Sequence, residues 1–343
     1  MKNQAILEAI PNISLFLDKE KIATFEKQIA LINNVSILHI DPNKDANRTV
    51  ITFAGNFEGI HEAIMILYEF CMQYVDMRKH QGAHPRIGMV DVCPIVPLQN
   101  CSLEDAIRFT NELAIAINKK YGIALYFYEY NQNLQYRKFL PQIRKGGYEM
   151  LLKKTLNPIW KPDLGKDANC EEGKKSLEKY GATVIGVRDI LIAYNISLNT
   201  KSLNWPQQWV QKIRSSGDFK GKKGLFEKLR AIAWYMDDFG HVQISMNFLD
   251  YHTTNPVDVY VYLLKEVQKQ NIEIIGSELV GLIPKSVLII AGKKVNPKAN
   301  EEMLLINHGV KYLGLNAIKE FDANKHILEF AVNKKLNIQL DLE

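Results

Sequence analysis

DMRKHQGAHPRIGMVDVCPIVP, residues 76–97, joins a basic loop to an apolar strand. Eleven residues, Arg78 to Gly88, hold two histidines, three cations and two glycines. The run from Met89 to Val96 follows at once and reads as a buried strand. Reactive polar groups on the lip of a buried strand are a common way to build an active site. His80 and His84 can move protons near neutral pH. Lys79 and Arg86 can hold carboxylates, Arg86 bidentately. Pro85 keeps His84 in extended or turn geometry. A solvated basic loop is the other reading of the same residues. The i, i+4 histidine pair would suit zinc only on a helix; Gly82 and Pro85 argue against one, and no metal is expected.

Upstream, the strand at 89–96 closes a set. Residues 4–10 form a strand into Pro11, and Glu20–Ile32 carry apolar residues at helical spacing. Val35–Ile40 and Thr49–Ala54 are strands around the turn DPNKDAN, and Phe57–Val75 is a long buried helix. Downstream, Ser102 caps a helix that stops at Gly122, and Ile123–Tyr130 is an aromatic-rich strand. From Gln132 to Tyr180 the chain is polar without clear period, and Lys166–Lys179 reads as a mobile surface excursion. The order then returns. Ile190–Ser197 is a strand, a helix follows with Pro206 at its first residue, and Leu229–Met236 and Val242–Leu249 flank the hairpin turn DDFG. Asn255-Pro256 then opens a helix to Gln270 that leads to a strand at Ile272–Ile275. Two strand–helix–strand–strand–helix–strand units make the fold class α+β, two ferredoxin-like (βαββαβ) subdomains. The expected domains are 1–181, 182–300 and a C-terminal extension, 301–343, which is hard to place.

The 343 residues suffice for a large core, and hydrophobic content, 47%, is ordinary for a soluble protein. No apolar run reaches membrane-spanning length, so no membrane is expected. The N-terminus does not read as a signal peptide, because Glu8, Pro11 and Asn12 break its apolar stretch. Cys71, Cys93, Cys101 and Cys170 include no CxxC pair, which fits a reducing, cytoplasmic setting. A net charge of +5 is too diffuse to argue nucleic acid.

The segments IPNIS (10–14), NRTVITFAG (47–55), HQGAHPRIGMVDVCPIVP (80–97), YGATVIGVRDILIAYNISLNT (180–200), QISMNFLDY (243–251) and IIGSELVGLIP (274–284) are collinear. Together they closely resemble the formiminotransferase domain of the glutamate formimidoyltransferases. The resemblance implies two ferredoxin-like subdomains with facing sheets and outer helices, usually in a homodimer. It implies transfer of a formimino group from N-formimino-L-glutamate to tetrahydrofolate, the co-substrate, in histidine degradation. The family's catalytic histidine lies in an H-P-R motif, which maps onto His84, the expected acid–base. Asp41 matches an acidic residue ahead of N-R-T and would hold the formimino nitrogen, or else cap a turn. Arg48 and Arg86 would bind substrate carboxylates, or else are a strand-edge and a loop charge. Lys79 is a further substrate-binding candidate, or a solvated lysine. Gly165, Tyr180 and Gly181 match the border of the folate site, and Gly276 and Gly281 mark tight backbone approach or ordinary turns. Lys220, Lys222 and Lys223 would meet glutamate carboxylates, or form a plain basic loop.

The chain departs from the family pattern in three places. An acidic turn of the family is replaced by Leu15-Phe16. A short family segment is replaced by the charged 166–179 stretch, a wall of the folate site. The deaminase domain fused to some relatives is absent, so a separate cyclodeaminase partner is expected. Rival readings are a related transferase with another donor or acceptor, and a silent folate-binding relative.

Overall fold

The computed structural model describes residues 4–218, 221–236 and 240–342. The chain divides into two compact units, 1–188 with 332–343, and 189–331. Each carries one sheet with flanking helices, an α+β architecture.

In the first unit the strands are β1 (Ile6–Ala9), β2 (Asn12–Ile13), β3 (Val35–Asn43), β4 (Arg48–Gly55) and β5 (Val90–Gln99). Helices α1 (Lys19–Ile29) and α2 (Phe57–Tyr74) complete the βαββαβ unit. Both β1 and β2 lie between β4 and β5, antiparallel to each, and β3 takes the edge beyond β4. Proline lacks the N–H that a central strand needs, so Pro11 interrupts this strand rather than continuing it. Asp18 and Asn56 cap α1 and α2 through side-chain oxygens, which quenches otherwise orphaned first-turn N–H groups. One face of the sheet packs Leu7, Ile13, Phe53, Val90 and Cys93 against Phe25, Leu67 and Phe70 of these helices. The helical spacing read over Glu20–Ile32 thus brings Phe25, Ile29 and Ile32 into the core, with Ile22 partly buried against it.

The sheet then extends beyond the ferredoxin-like set. Helix α3 (Leu103–Tyr121) is capped by Ser102 and ended by Gly122 in the left-handed conformation. It leads to β6 (Ala124–Phe127), which stops short of the expected Tyr130 because Glu129 takes a positive φ and starts a 3₁₀ turn. Short helices α4 (Leu140–Arg144) and α5 (Leu151–Thr155) follow. The expected excursion at 166–179 is largely α6 (Glu171–Tyr180). Its charged residues face outward, while Gly173, Leu177 and Tyr180 form one narrow inward stripe at i, i+4 and i+7. That stripe is too thin to register as a period. Residues 182–187, expected in the second domain with no strand of their own, form β7 (Ala182–Val187), which pairs in parallel between β5 and β6 of the first sheet. The first unit therefore runs through Arg188 rather than ending at 181.

Gly181 joins α6 to β7 with φ +69°, and a Cβ on it would lie 2.1 Å from the Ile87 carbonyl oxygen. Across the bridge, a Cβ on Gly88 would lie 2.2 Å from the Ala182 oxygen. Only glycine fits this backbone approach. Gly181→Ala is expected to destabilise the protein by about 2–3 kcal/mol, read from the denaturant midpoint. A loss under about 0.5 kcal/mol, the range of ordinary surface changes, would show that the approach relaxes.

The second unit has β8 (Ile192–Leu198), α7 (Asn204–Ile213), β9 (Leu229–Met236), β10 (His241–Phe248), α8 (Pro256–Gln268) and β11 (Ile274–Val280). Its sheet order, β11-β8-β10-β9, is the ferredoxin-like one. Pro206 sits at the third residue of α7, not the first. The tip of the expected DDFG turn lies outside the described residues, while β9 and β10 pair up to Met236 and His241 on either side of it.

The extension expected at 301–343 does not form a separate element. Helices α9 (Lys285–Val295) and α10 (Glu302–Tyr312) pack backbone to backbone. A Cβ on Gly292 would lie 2.1 Å from the Leu305 oxygen and one on Gly309 2.0 Å from the Leu288 oxygen. After α11 (Ala323–His326) and α12 (Leu328–Leu336), the last residues return to the first unit. There Ser36 Oγ donates to the Lys335 carbonyl and Asp341 N–H to Gln99 Oε1.

Candidate active site

The run 89–96, apolar as expected at seven of its eight positions, carries one carboxylate, Asp91, and the backbone is built around it. On β5, Asn12 faces Val92 while the next residue, Ile13, faces Val90. Asp91 is thus the extra residue of a β-bulge, a device that re-aims one side chain out of the ladder. The buried carboxylate takes the Ile87 N–H on Oδ1 at 2.8 Å and Arg144 Nη2 on Oδ2 at 2.5 Å. Arg144 ends α4, whose Ile143 packs with Val92, Tyr126 and Val184 in a second small core.

Arg48 opens β4. Its Nη2 donates to Asn12 Oδ1, and its Nη1 lies 2.5 and 2.6 Å from the two ring nitrogens of His84. His84 Nδ1 is 2.7 Å from the Pro85 carbonyl oxygen. The Pro85 carbonyl can only accept and Arg48 can only donate; with the proton on Nδ1 toward Pro85, the Nε2 lone pair faces Arg48. Burial, then the positive charges of Arg48 and Arg144, push the His84 pKa down to about 3, against a smaller upward pull from the Pro85 carbonyl. The imidazole is therefore neutral at physiological pH. Arg48 is itself pulled down to about 10, mainly by burial; Asp91 counters this, Arg144 adds to it, and Asp41 opposes it most weakly. It keeps its charge. Asp41 lies on β3 opposite Val50, one strand pair from Arg48 and on the same face, and acts on the guanidinium through charge.

The other expected residues divide. Arg86 is engaged within the fold: Nε donates to His80 Nδ1 at 3.1 Å, Nη2 to the His80 carbonyl at 3.2 Å, and Nη1 to Glu149 Oε1 at 2.6 Å. His80 completes this strut by giving its Nε2 proton to the Asn47 carbonyl at 3.0 Å, and its pKa is lowered chiefly by burial. Lys79 is exposed. Tyr180 sits at the end of α6, its carbonyl accepting the Met89 N–H and its ring 4.8 Å below the Lys179 ammonium. Gly165 holds φ +96° beside Ala124. Gly276 and Gly281 belong to the second unit. The former is packed against Ala317 and Ile318, while the latter is a left-handed turn with open space around its Cα. Lys222 and Lys223 are exposed, and Lys220 lies outside the described residues. Sequence reading missed Asn12, Asp91 and Arg144. The charge inside 89–96 was a visible signal for Asp91, whereas Arg144 sits in a polar stretch that offered none.

The first unit, with its histidine–arginine pair, coincides with one family model and the second unit with its continuation. The formiminotransferase domain N-terminal subdomain matches residues 6–188, and the formiminotransferase domain matches 193–333. The chain belongs to the formiminotransferase domain family. Among curated relatives, the formimidoyltransferase-cyclodeaminase of Dictyostelium discoideum is 33% identical over 338 residues, covering 97% of this chain and 61% of that protein. The glutamate formimidoyltransferase of Thermoplasma acidophilum is 31% identical over 291 residues, 84% of this chain and 91% of that protein. That of Streptococcus pyogenes is 30% identical over 284 residues, with 83% and 91% covered. The chain thus spans about three fifths of the first, two-function relative and nearly all of the single-function ones. The junction between the two formiminotransferase models falls after β7, where the compact units also part. No helix among the described residues is long and apolar enough to cross a membrane.

Proposed function

We propose that the protein is a glutamate formimidoyltransferase, moving the formimino group of N-formimino-L-glutamate to tetrahydrofolate with His84 as acid–base. The observation that carries this reading is the His84 ring held against Arg48 in a chain of this family. The folate amine attacks the amidine-like carbon and forms the new C–N bond. His84 Nε2 takes the proton from that nitrogen and passes it to the departing glutamate nitrogen as the old C–N bond breaks. In the free protein the Nε2 lone pair is covered by Arg48. A substrate carboxylate that draws the guanidinium to itself uncovers the base, so donor binding and base activation are one event. In this reading Asp41, on the same face of the sheet as Arg48, holds the formimino nitrogen.

The test is to mix the protein with both substrates and follow the pterin absorbance. Because kcat/KM reports the free enzyme, its acid limb is expected well below pH 6.5, the ordinary histidine value. Arg48→Gln removes one of the two cations that repel the imidazolium. Its acid limb is expected to move up and its KM for the donor to rise. A wild-type limb at or above 6.5 would mean that His84 is not held neutral. The sign for stability follows the same shift. Between about 3 and 6.5 only the unfolded chain binds this proton, so the contribution of His84 is complete above 6.5 and is lost as pH falls through that window.

A further inference from the structure

We infer that Arg144 is a second anion-binding residue of this site, acting with Arg48 to hold a dicarboxylate donor. This rests on the formimidoyltransferase reading and deepens it. Three observations converge. Arg48 and Arg144 share one carboxylate: Asp91 bonds Arg144 directly and is the leading favourable charge on Arg48. Each guanidinium carries a buried Nε–H without a hydrogen-bond partner among the described residues. Both cations also act on His84, so Arg144 stands close enough to the ring to influence its charge. Buried donors without partners are costly, and of the two carboxylates that act on Arg48, Asp91 is shared with Arg144 and Asp41 pulls more weakly, so positive charge is in excess. A carboxylate brought to each guanidinium supplies the missing counter-charge and acceptor.

Asp91 has the complementary part. With Oδ1 held by the Ile87 N–H and Oδ2 by Arg144, it fixes Arg144 by one edge, and a planar guanidinium with five N–H donors keeps others for a ligand. A donor with two carboxylates can then be gripped by Arg48 and Arg144, whereas a monocarboxylate engages one of them. Arg86 is the less suitable candidate for this role, since His80 and Glu149 already occupy its Nε, Nη1 and Nη2.

The experiment is isothermal titration of the full chain with glutarate and with its monoamide, glutaramate, neither of which can react. Wild type is expected to bind glutarate more tightly. Arg144→Gln should weaken glutarate by about tenfold or more while changing glutaramate little, and Arg144→Lys should fall between. Equal weakening of both ligands, or no weakening of glutarate, overturns the inference. So does wild type that binds glutarate no better than glutaramate. Arg144→Gln leaves Asp91 unpaired; if it melts below the working temperature, Asp91→Asn/Arg144→Gln keeps the pair neutral and the same comparison applies. The outcome separates the two claims. Glutarate selectivity through Arg144 without formimino transfer refutes the proposed reaction and keeps the anion site. Transfer with selectivity unchanged in Arg144→Gln does the reverse.

Discussion

His84→Ala is expected to lower formimino transfer by about two orders of magnitude or more while the protein stays folded, since that is the usual contribution of a positioned acid–base group. The imidazole sits in a loop, half-buried, between Arg48 and the Pro85 carbonyl, and it belongs to neither core cluster of the first unit. Its loss opens no cavity in packed hydrocarbon, so the melting temperature should move little. What disappears is the imidazole beside Arg48 that the proposed mechanism uses to carry a proton from one nitrogen to another. His84→Gln makes the comparison sharper. It keeps an oxygen to accept from Arg48 but cannot carry a proton, and it should be as inactive as alanine. Turnover above a tenth of wild type in the glutamine variant would remove His84 from the acid–base role. Assays with N-formimino-L-glutamate and tetrahydrofolate at saturating concentration read this directly.

Asp91→Ala is expected to cost about 3–5 kcal/mol of stability, the range for breaking a buried ion pair from one side. The carboxylate is 1% exposed and holds both the Ile87 N–H and Arg144. Alanine strands the amide and leaves a guanidinium with no counter-charge beside Arg48 and His84. Asp91→Asn should cost less, because an amide oxygen still serves Ile87. Urea denaturation of the three proteins tests the ordering, and a loss under about 1 kcal/mol for alanine would mean that the pair contributes no more than a surface bridge.

Local chemistry left clear marks in the sequence where it acts alone. Ser102 and Gly122 bracket α3 because a cap oxygen and a left-handed glycine work through neighbouring residues. Helix α2 was plain because its composition is apolar along its whole length, and it buries Ile60, Ala63, Ile64, Leu67 and Phe70. Helix α6 was not plain, because a charged decapeptide becomes a helix only when Leu177 has a core to enter. Strand β7 has only a short apolar run, which does not say which sheet it will join.

The sequence by itself determined the two βαββαβ orders and, through six collinear segments that include the motif around His84, the family. Both depend on residues close in the chain: periodicity, caps and short motifs. Only the tertiary structure decided that β7 belongs to the first sheet, that the last residues return to that unit, that Arg48, held by Asn12, meets the His84 ring, and that Asp91 pairs with Arg144. Those outcomes rest on pairings between residues tens to hundreds of positions apart. Burial and the bulge at Asp91, which no local pattern encodes, set the charges there.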